Sequence, residues 1–330
     1  MSGGALTRRA VATAARRPAR GWRVGDRVAA IRLDEPVDSG IFAEGGLALG
    51  DLLSGPADLE PLEGWWHDDV WDFIRLLPEQ LSADIAALAQ RKDKTDSSLP
   101  SHVTVLGDGQ IVLRGEAVVE PHVVLDTTTG PILIEAGAHV RTFTRICGQC
   151  RIGRGATVLS GEISGCSIGE VSKVRGELST SVVIGHSNKS HDGFVGHSYL
   201  GRWVNLGAGT ITSNLKNTYG TVQMWTPNGM QDTGLLKLGS VFGDHVKTGI
   251  GLRLTTGSVL GAGSNVFGSR MPPKVVPPFS WGEGDALGSY RLDKFLETAE
   301  RAMARRNIAL SERARRQLTE AHALAAGVAV

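Results

Sequence analysis

The 330-residue chain is short of cysteine, has no long apolar run and carries no excess of either charge. Three cysteines are too few for a disulfide framework at this size, so a reducing compartment and a cytoplasmic protein are expected. Lys plus Arg number 35 against 34 Asp plus Glu, which leaves no electrostatic footprint for nucleic acid or an anionic membrane. The apolar runs fall far below the ~18 residues that a membrane span needs. The start, MSGGALTRRAVATAARRPARGWR, is rich in Arg and Ala and has no apolar core of a secretory signal; an unstructured start or a transit peptide are its two readings.

What is abundant is glycine, 43 residues, nearly twice the ordinary share of about 7%. The glycines recur through 130–285, where the sequence also repeats in sixes. Residues 134–157 read IEAGAH, VRTFTR, ICGQCR, IGRGAT, with anchors at Ile134, Val140, Ile146 and Ile152, and Val158 continues them. Ile168 and Val174 open IGEVSK and VRGELS; Phe194, Leu200 and Leu206 open FVGHSY, LGRWVN and LGAGTI. Phe242, Thr248, Leu254, Leu260 and Val266 resume the step. A helix does not repeat every six residues, and a strand alone repeats every two. An aliphatic anchor followed by small residues at that period signals a parallel β-helix, one short strand and a turn per hexapeptide, three hexapeptides per coil. Glycine and small residues are expected at the corners. The phase slips at 175–193. It is absent from TVQMWTPNGMQDTGLLK (221–237), whose Pro227-Asn228-Gly229 reads as the turn of an extruded loop.

The flanks read differently. WWHDDVWDFIRLLPEQLSADIAALAQR (65–91) is helical, with Val70, Phe73, Ile74, Leu77 and Leu81 on one face and Pro78 starting a new helix. His67, Asp68 and Asp69 suit the charged start of a helix better than a metal site. KDKTDSSLPS (92–101) reads as a linker and MPPKVVPPFSWG (271–282) as a proline-rich exit. From Ser289 to about Ala326 the pattern is helical again, with Phe295, Ala299 and Met303 on one face and Ser311 as an N-cap.

In NKSHDGFVGHSYLG, His191 and His197 stand six residues apart. In such a prism they occupy neighbouring walls, point about 120° apart and do not both reach one acceptor. The residues leave open which of them is functional.

His191 is followed by Asp192-Gly193-Phe194 and, fourteen positions on, by Asn205 in VNLGAGTITSN. This block resembles the acetyltransferase half of the bifunctional enzymes that join glucosamine-1-phosphate acetyltransferase to N-acetylglucosamine-1-phosphate uridyltransferase. SNKSHDGFVGHSYLGRWVNLGAGT, WDFIRLLPEQLSADI and PPFSWG are closer still to a sugar-nucleotidyltransferase-like subgroup related to those enzymes. The resemblance covers about residues 65–310 and is most specific over 187–214. It implies a left-handed β-helix, a homotrimer with the acceptor site between neighbouring prisms, and acetyl-CoA as co-substrate. It implies His191 as general base and Asn205 orienting the amine or thioester. Gly207, Ala208 and Gly209 would meet the pantetheine arm and Asn214 would line the acceptor pocket. Lys189 and Arg175 become candidate sugar-phosphate ligands, and Lys247, Arg253 and Lys274 candidates for the coenzyme A phosphates. Phe194 stands where the acetyltransferase has Tyr, and Tyr199 is a possible substitute. The uridyltransferase's L-x-G-G-x-G-x-R loop has no match in residues 1–100, so nucleotidyl transfer is not expected.

Two other classes compete. A zinc carbonic anhydrase of β-helix type is suggested by the H-x4-H spacing of His186 and His191, with Cys150 near the place of a third ligand. A non-catalytic nucleotide-sugar-binding or trimer-scaffold β-helix is suggested by Phe194. Cys147 and Cys150, with Cys166 close to one coil above, read as two small residues on consecutive β positions rather than a metal or redox pair. The expectation is a mainly β protein: 1–64 a truncated α/β remnant of a nucleotidyltransferase-like domain, partly disordered; 65–100 a helical linker; 101–285 the left-handed parallel β-helix; 286–330 C-terminal helices. The expected activity is acyl-CoA-dependent N-acetyl transfer to an amino-sugar phosphate resembling glucosamine-1-phosphate, with no metal required and no nucleic acid or membrane partner.

Overall fold

The computed structural model describes residues 21–33, 49–52, 59–91 and 97–325. The readings made on the first twenty residues and on part of the 92–101 linker lie outside them. The chain divides into two units, Met1–Leu76 and Leu77–Val330.

In the first unit, strands Gly21–Val24 and Arg27–Ile31 run antiparallel about a turn at Gly25, and Leu59–Pro61 pairs parallel to the first of them. Trp22, Val24, Ala29 and Leu62 form its small core. Arg27 makes a double hydrogen bond to Asp68, at 2.6 and 3.2 Å, and its guanidinium lies 4.1 Å over Trp66. The Asp72 carboxylate opens helix Asp72–Arg75 by accepting the N–H groups of Asp68 and Asp69 at 2.9 and 3.1 Å.

The second unit is a left-handed parallel β-helix of the hexapeptide type. One wall is a nine-stranded parallel ladder running from Ile111–Leu113 to Val275–Val276. It is called the third wall below; each coil crosses a first and a second wall before reaching it. The step between paired residues is 18 from Ile132 to Cys150, 15 from Ile168 to Val183 and 17 from Val183 to Leu200. Each wall thus takes five or six residues, which is why the sixfold phase slips. The step from Leu200 to Phe242 is 42, because the loop seen in sequence leaves the prism as an antiparallel hairpin, Gln223–Thr226 and Gly229–Asp232.

Ile134, Val140, Ile146, Ile152, Val158, Ile168, Val174, Leu200, Leu206, Phe242, Leu254, Leu260 and Val266 all point into one continuous core. Phe194 is the exception. Val195 is buried in its place and Phe194 faces outward, because the coil beneath has a different length.

The corners also differ from expectation. Glycine holds many of them, but His186, His197, Trp203, His245 and Phe279 take left-handed φ values of 55, 50, 62, 61 and 52°. His186 packs 4.5 Å from Trp203, and Trp203 stacks 6.2 Å from His245. Ring packing along this edge offsets the backbone cost that glycine would avoid.

Helix Leu77–Ala89 covers the third wall, with Leu77, Leu81 and Ile85 against Leu133 and, beside it, Val112 and Val182. At the far end, helices Leu292–Ala304 and Glu312–Ala325 close the prism. Phe295 meets Phe279 edge-on at 4.9 Å, and the Ser311 hydroxyl caps the last helix by accepting the Ala314 N–H at 3.2 Å. No helix among the described residues is long and apolar enough to cross a membrane.

Candidate functional site

On the first wall Lys173, Asn188, Asn205, Lys247, Asn265 and Trp281 fall in register, one per coil. Alternation along a strand makes this a single outward column, with rungs ~4.8 Å apart. Asn188 Nδ2 donates to Asn205 Oδ1 at 3.0 Å, and Ser190 Oγ bonds Asn188 Oδ1. This fixes the Asn205 amide from the coil below. Two residues on, Gly207 and Gly249 carry no side chain where Phe267 stands on the next coil. A β-carbon on Gly207 would lie 2.5 Å from the Gly249 carbonyl group, and one on Gly249 would lie 2.8 Å from Phe267 Cβ.

His191 sits at the corner where the first wall turns into the second. The Asp192 carbonyl accepts the Gly209 N–H at 3.2 Å and the Ala208 carbonyl accepts the Gly251 N–H at 2.7 Å. His191-Asp192, Ala208-Gly209 and Ile250-Gly251 therefore stack on three successive coils. The structure brings His191, Asn205, Gly207, Ala208 and Gly209 together on one edge. His191 is exposed, and its imidazole makes no hydrogen bond to a described residue. Asp192 faces Arg175, 3.2 Å from its Nε.

His197 occupies the next corner of the same coil. Its Nδ1 lies 2.9 Å from Asn214 Nδ2, and burial, with a smaller contribution from Lys237, pushes its pKa down to about 4. The ring is therefore neutral near pH 7, with Nδ1 accepting from the amide and the proton on Nε2. Phe194 and Asn214 both flank Gly196: a β-carbon there would lie 2.3 Å from the Phe194 ring and 2.8 Å from the Asn214 amide. Asn214 thus groups with His197 and Phe194, one corner away from His191.

Other expected residues fall elsewhere. Lys189, a candidate phosphate ligand in the sequence, is 2% exposed and points into the prism between Val174 and Leu206. Its Nζ donates to the carbonyls of Arg175, at 3.1 Å, and of His191. A sugar phosphate outside does not reach it. Lys247 stands on the first wall, one coil from Asn205, and burial lowers its pKa to about 8. Arg253 pairs with Ile211 on the second wall, around the corner from Lys247, so the two do not form one cluster within a chain. Tyr199 lies on the third wall beside Val182, and burial raises its pKa. Lys274 precedes the last strand of that wall; burial and then Lys216 lower its pKa.

His186 and His191 stand on different corners, and Cys150 is 0% exposed inside the prism, so the three do not converge within one chain. Among the described residues no group of three or more His, Cys, Asp or Glu side chains comes together as a metal site would. Sequence reasoning missed Asn188, although it precedes Asn205 by one coil length, 205 − 188 = 17. It also missed that Lys189 faces inward, since an ionisable residue at an anchor position gives no signal of its own.

The described residues thus form a parallel hexapeptide solenoid with an exposed histidine near an N-x-G-A-G turn. No family model matches the chain. It is 33% identical over 91 residues to the bifunctional sugar-1-phosphate nucleotidylyltransferase/acetyltransferase of Sulfurisphaera tokodaii, covering 28% of this chain and 23% of that protein. It is 32% identical over 177 residues to the bifunctional protein GlmU of Prochlorococcus marinus, covering 52% of this chain and 31% of that protein. The match thus spans less than a third of either relative's length. Among solved structures, the Arabidopsis UDP-N-acetylglucosamine acyltransferase superposes with a TM-score of 0.43 at 11% identity, over 61% of this chain and 77% of that one. The curated relatives are bifunctional proteins of the GlmU type, and the solenoid is consistent with the acetyltransferase half of such proteins.

Proposed function

We propose that the protein transfers an acetyl group from acetyl-CoA to the amine of an amino-sugar phosphate, with His191 as general base. The observation that carries the reading is the stacking of the His191-Asp192 corner beneath Ala208-Gly209, with Asn205 on the adjoining wall held by Asn188. In the reaction the amine attacks the thioester carbon, a C–N bond forms, and an imidazole nitrogen takes the proton the amine loses. The C–S bond then breaks and the thiolate leaves, taking up a proton. Imidazole titrates near neutral pH, which suits it to this transfer. Asn205 orients the reacting carbonyl or amine. The backbone at Gly207, Ala208 and Gly209 meets the pantetheine arm, and backbone N–H groups stabilise the oxyanion.

Lys247, on the same column as Asn205, is the nearer candidate for the donor's phosphates, and Arg253 is reached from around the corner. The acceptor would be shared between prisms of a homotrimer. Arg175 faces it from the His191 corner; Phe194 and Asn214 come from the next corner or from a neighbouring copy. Phe194 supplies a ring without a phenol, so the sugar makes one hydrogen bond fewer than it would with Tyr. Thiol release from acetyl-CoA, measured against a panel of amino-sugar phosphates, tests the reading. Acceptor-dependent release for at least one member is expected, and release with none of them sinks it.

A further inference from the structure

The corner that carries His191 is longer than the corner beneath it. Val174 pairs with Lys189, a step of 189 − 174 = 15, whereas Glu177 pairs with Phe194, a step of 194 − 177 = 17. Two extra residues must therefore fit between Lys189 and Phe194, against only Arg175 and Gly176 below. The ladder between these coils is interrupted there: strand Asn188–Lys189 ends and strand Phe194–Gly196 has not begun. Backbone carbonyls at such a break lose their strand partners and need others.

The partner is supplied from within. Lys189 occupies an inward position where the coil below has Val174, and it is among the largest fully buried side chains of the protein. Burying an amine in an aliphatic prism is costly unless its N–H groups are used. Here they are used on the Arg175 carbonyl of the lower coil and the His191 carbonyl of the upper one, across the interruption. The room is kept by Gly193: with φ of 129°, its β-carbon would lie 2.4 Å from the Thr210 carbonyl and 3.5 Å from Lys189 Nζ.

We propose that Lys189 is a positioning residue for His191, holding the lengthened corner so that the imidazole is presented at a fixed place beside Ala208 and Asn205. It touches neither substrate. Burial, offset by Asp192 and reinforced by Arg175, lowers its pKa to about 8. An amine and an ammonium both have the two N–H groups required, so the hold survives deprotonation. The inference rests on the reading of His191 as base, but its structural half does not need that reading.

The test compares the unaltered protein with Lys189→Met, which keeps the volume and removes every donor. Nuclear magnetic resonance of histidine-labelled protein follows the rings, with His139 as internal control. The His191 resonances are expected to shift and broaden while those of His139 stay. In the thiol-release assay kcat is expected to fall roughly 10- to 100-fold, the size of loss a displacement of about 1 Å brings, with KM for acetyl-CoA within about twofold. Where the Met variant does not fold, Lys189→Gln, which keeps two amide N–H donors but on a side chain one bond shorter, serves in its place. Unshifted His191 resonances in a folded variant overturn the proposal. So does a rapidly exchanging Lys189 Nζ signal in the unaltered protein, where a solvent-protected one is expected. If no acceptor supports thiol release, the activity reading fails while the resonance arm still decides the role of Lys189.

Discussion

The Asn214 amide donates to Nδ1 of His197 at 2.9 Å, whereas the exposed His191 imidazole six residues earlier makes no hydrogen bond to a described residue. One ring is fixed, neutral and half-buried at its corner; the other is open to solvent at the corner before it.

That difference separates two variants. His191→Ala is expected to lower the acetyl-transfer rate by roughly 10²–10⁴ with little change in melting temperature. His197→Ala leaves the Asn214 amide without its acceptor, so it is expected to destabilise the fold by about 1–3 kcal/mol and cost far less in rate. Thiol-release kinetics and thermal melts on the same preparations check both. Equal rate losses would count against a single base.

Acid should weaken the fold through two imidazoles. His197 and His245 both have folded-state pKa values pushed down to about 4 by burial, from 6.5. The unfolded chain therefore binds protons first as pH falls. The contribution of both groups is full above about 6.5 and is lost progressively down to about 4. Urea midpoints measured across that window should fall with pH. His245 Nδ1 has no hydrogen-bond partner among the described residues, so His245→Phe should keep the ring packing against Phe295 and Trp203 and flatten part of the slope.

The cysteines should differ in reactivity. Cys150 and Cys166 are 0% exposed, and burial pushes the Cys166 thiol up to about 12 and Cys150 well above its usual value. Cys147 is only half-buried. Mass spectrometry after alkylation at pH 8 should find Cys147 labelled in the native protein, with the other two labelled only after unfolding. Native labelling of Cys166 would contradict its inward placement.

Gly207 tests the closeness of the coils at the proposed donor site. Gly207→Ala places a methyl 2.5 Å from the Gly249 carbonyl group, which neither backbone can avoid. A loss of about 1–3 kcal/mol and a raised KM for acetyl-CoA are expected. An unchanged melting temperature would show that the coils have more room than this.

The exposed hairpin bears on assembly. Met230 stands 48% exposed on its outer strand, in a segment that would cover a neighbouring prism in the proposed trimer. Sedimentation should give three copies, and Met230→Asp should shift the equilibrium towards smaller species. A protein that is monomeric at every concentration would leave the proposed acceptor site without its second wall.

The sequence by itself determined the solenoid. Inward anchors recur because each short strand must bury one aliphatic side chain, and that demand shows in a single chain as a period, from Ile134 to Val158 and again from Phe242 to Val266. It also carried the separation of His191 from His197, since a change of wall follows from the period alone. Only the tertiary structure decided the local phase: coils of 15 to 18 residues turned Phe194 outward, seated Val195 in its place and drew Lys189 inside. It also put aromatic rings, rather than glycine, at the His186–Trp203–His245 edge. Those outcomes depend on how long each coil is relative to the one it stacks on. That is a relation between residues 15 to 42 positions apart, set by interchain-like ladder bonds and packing that no local pattern records.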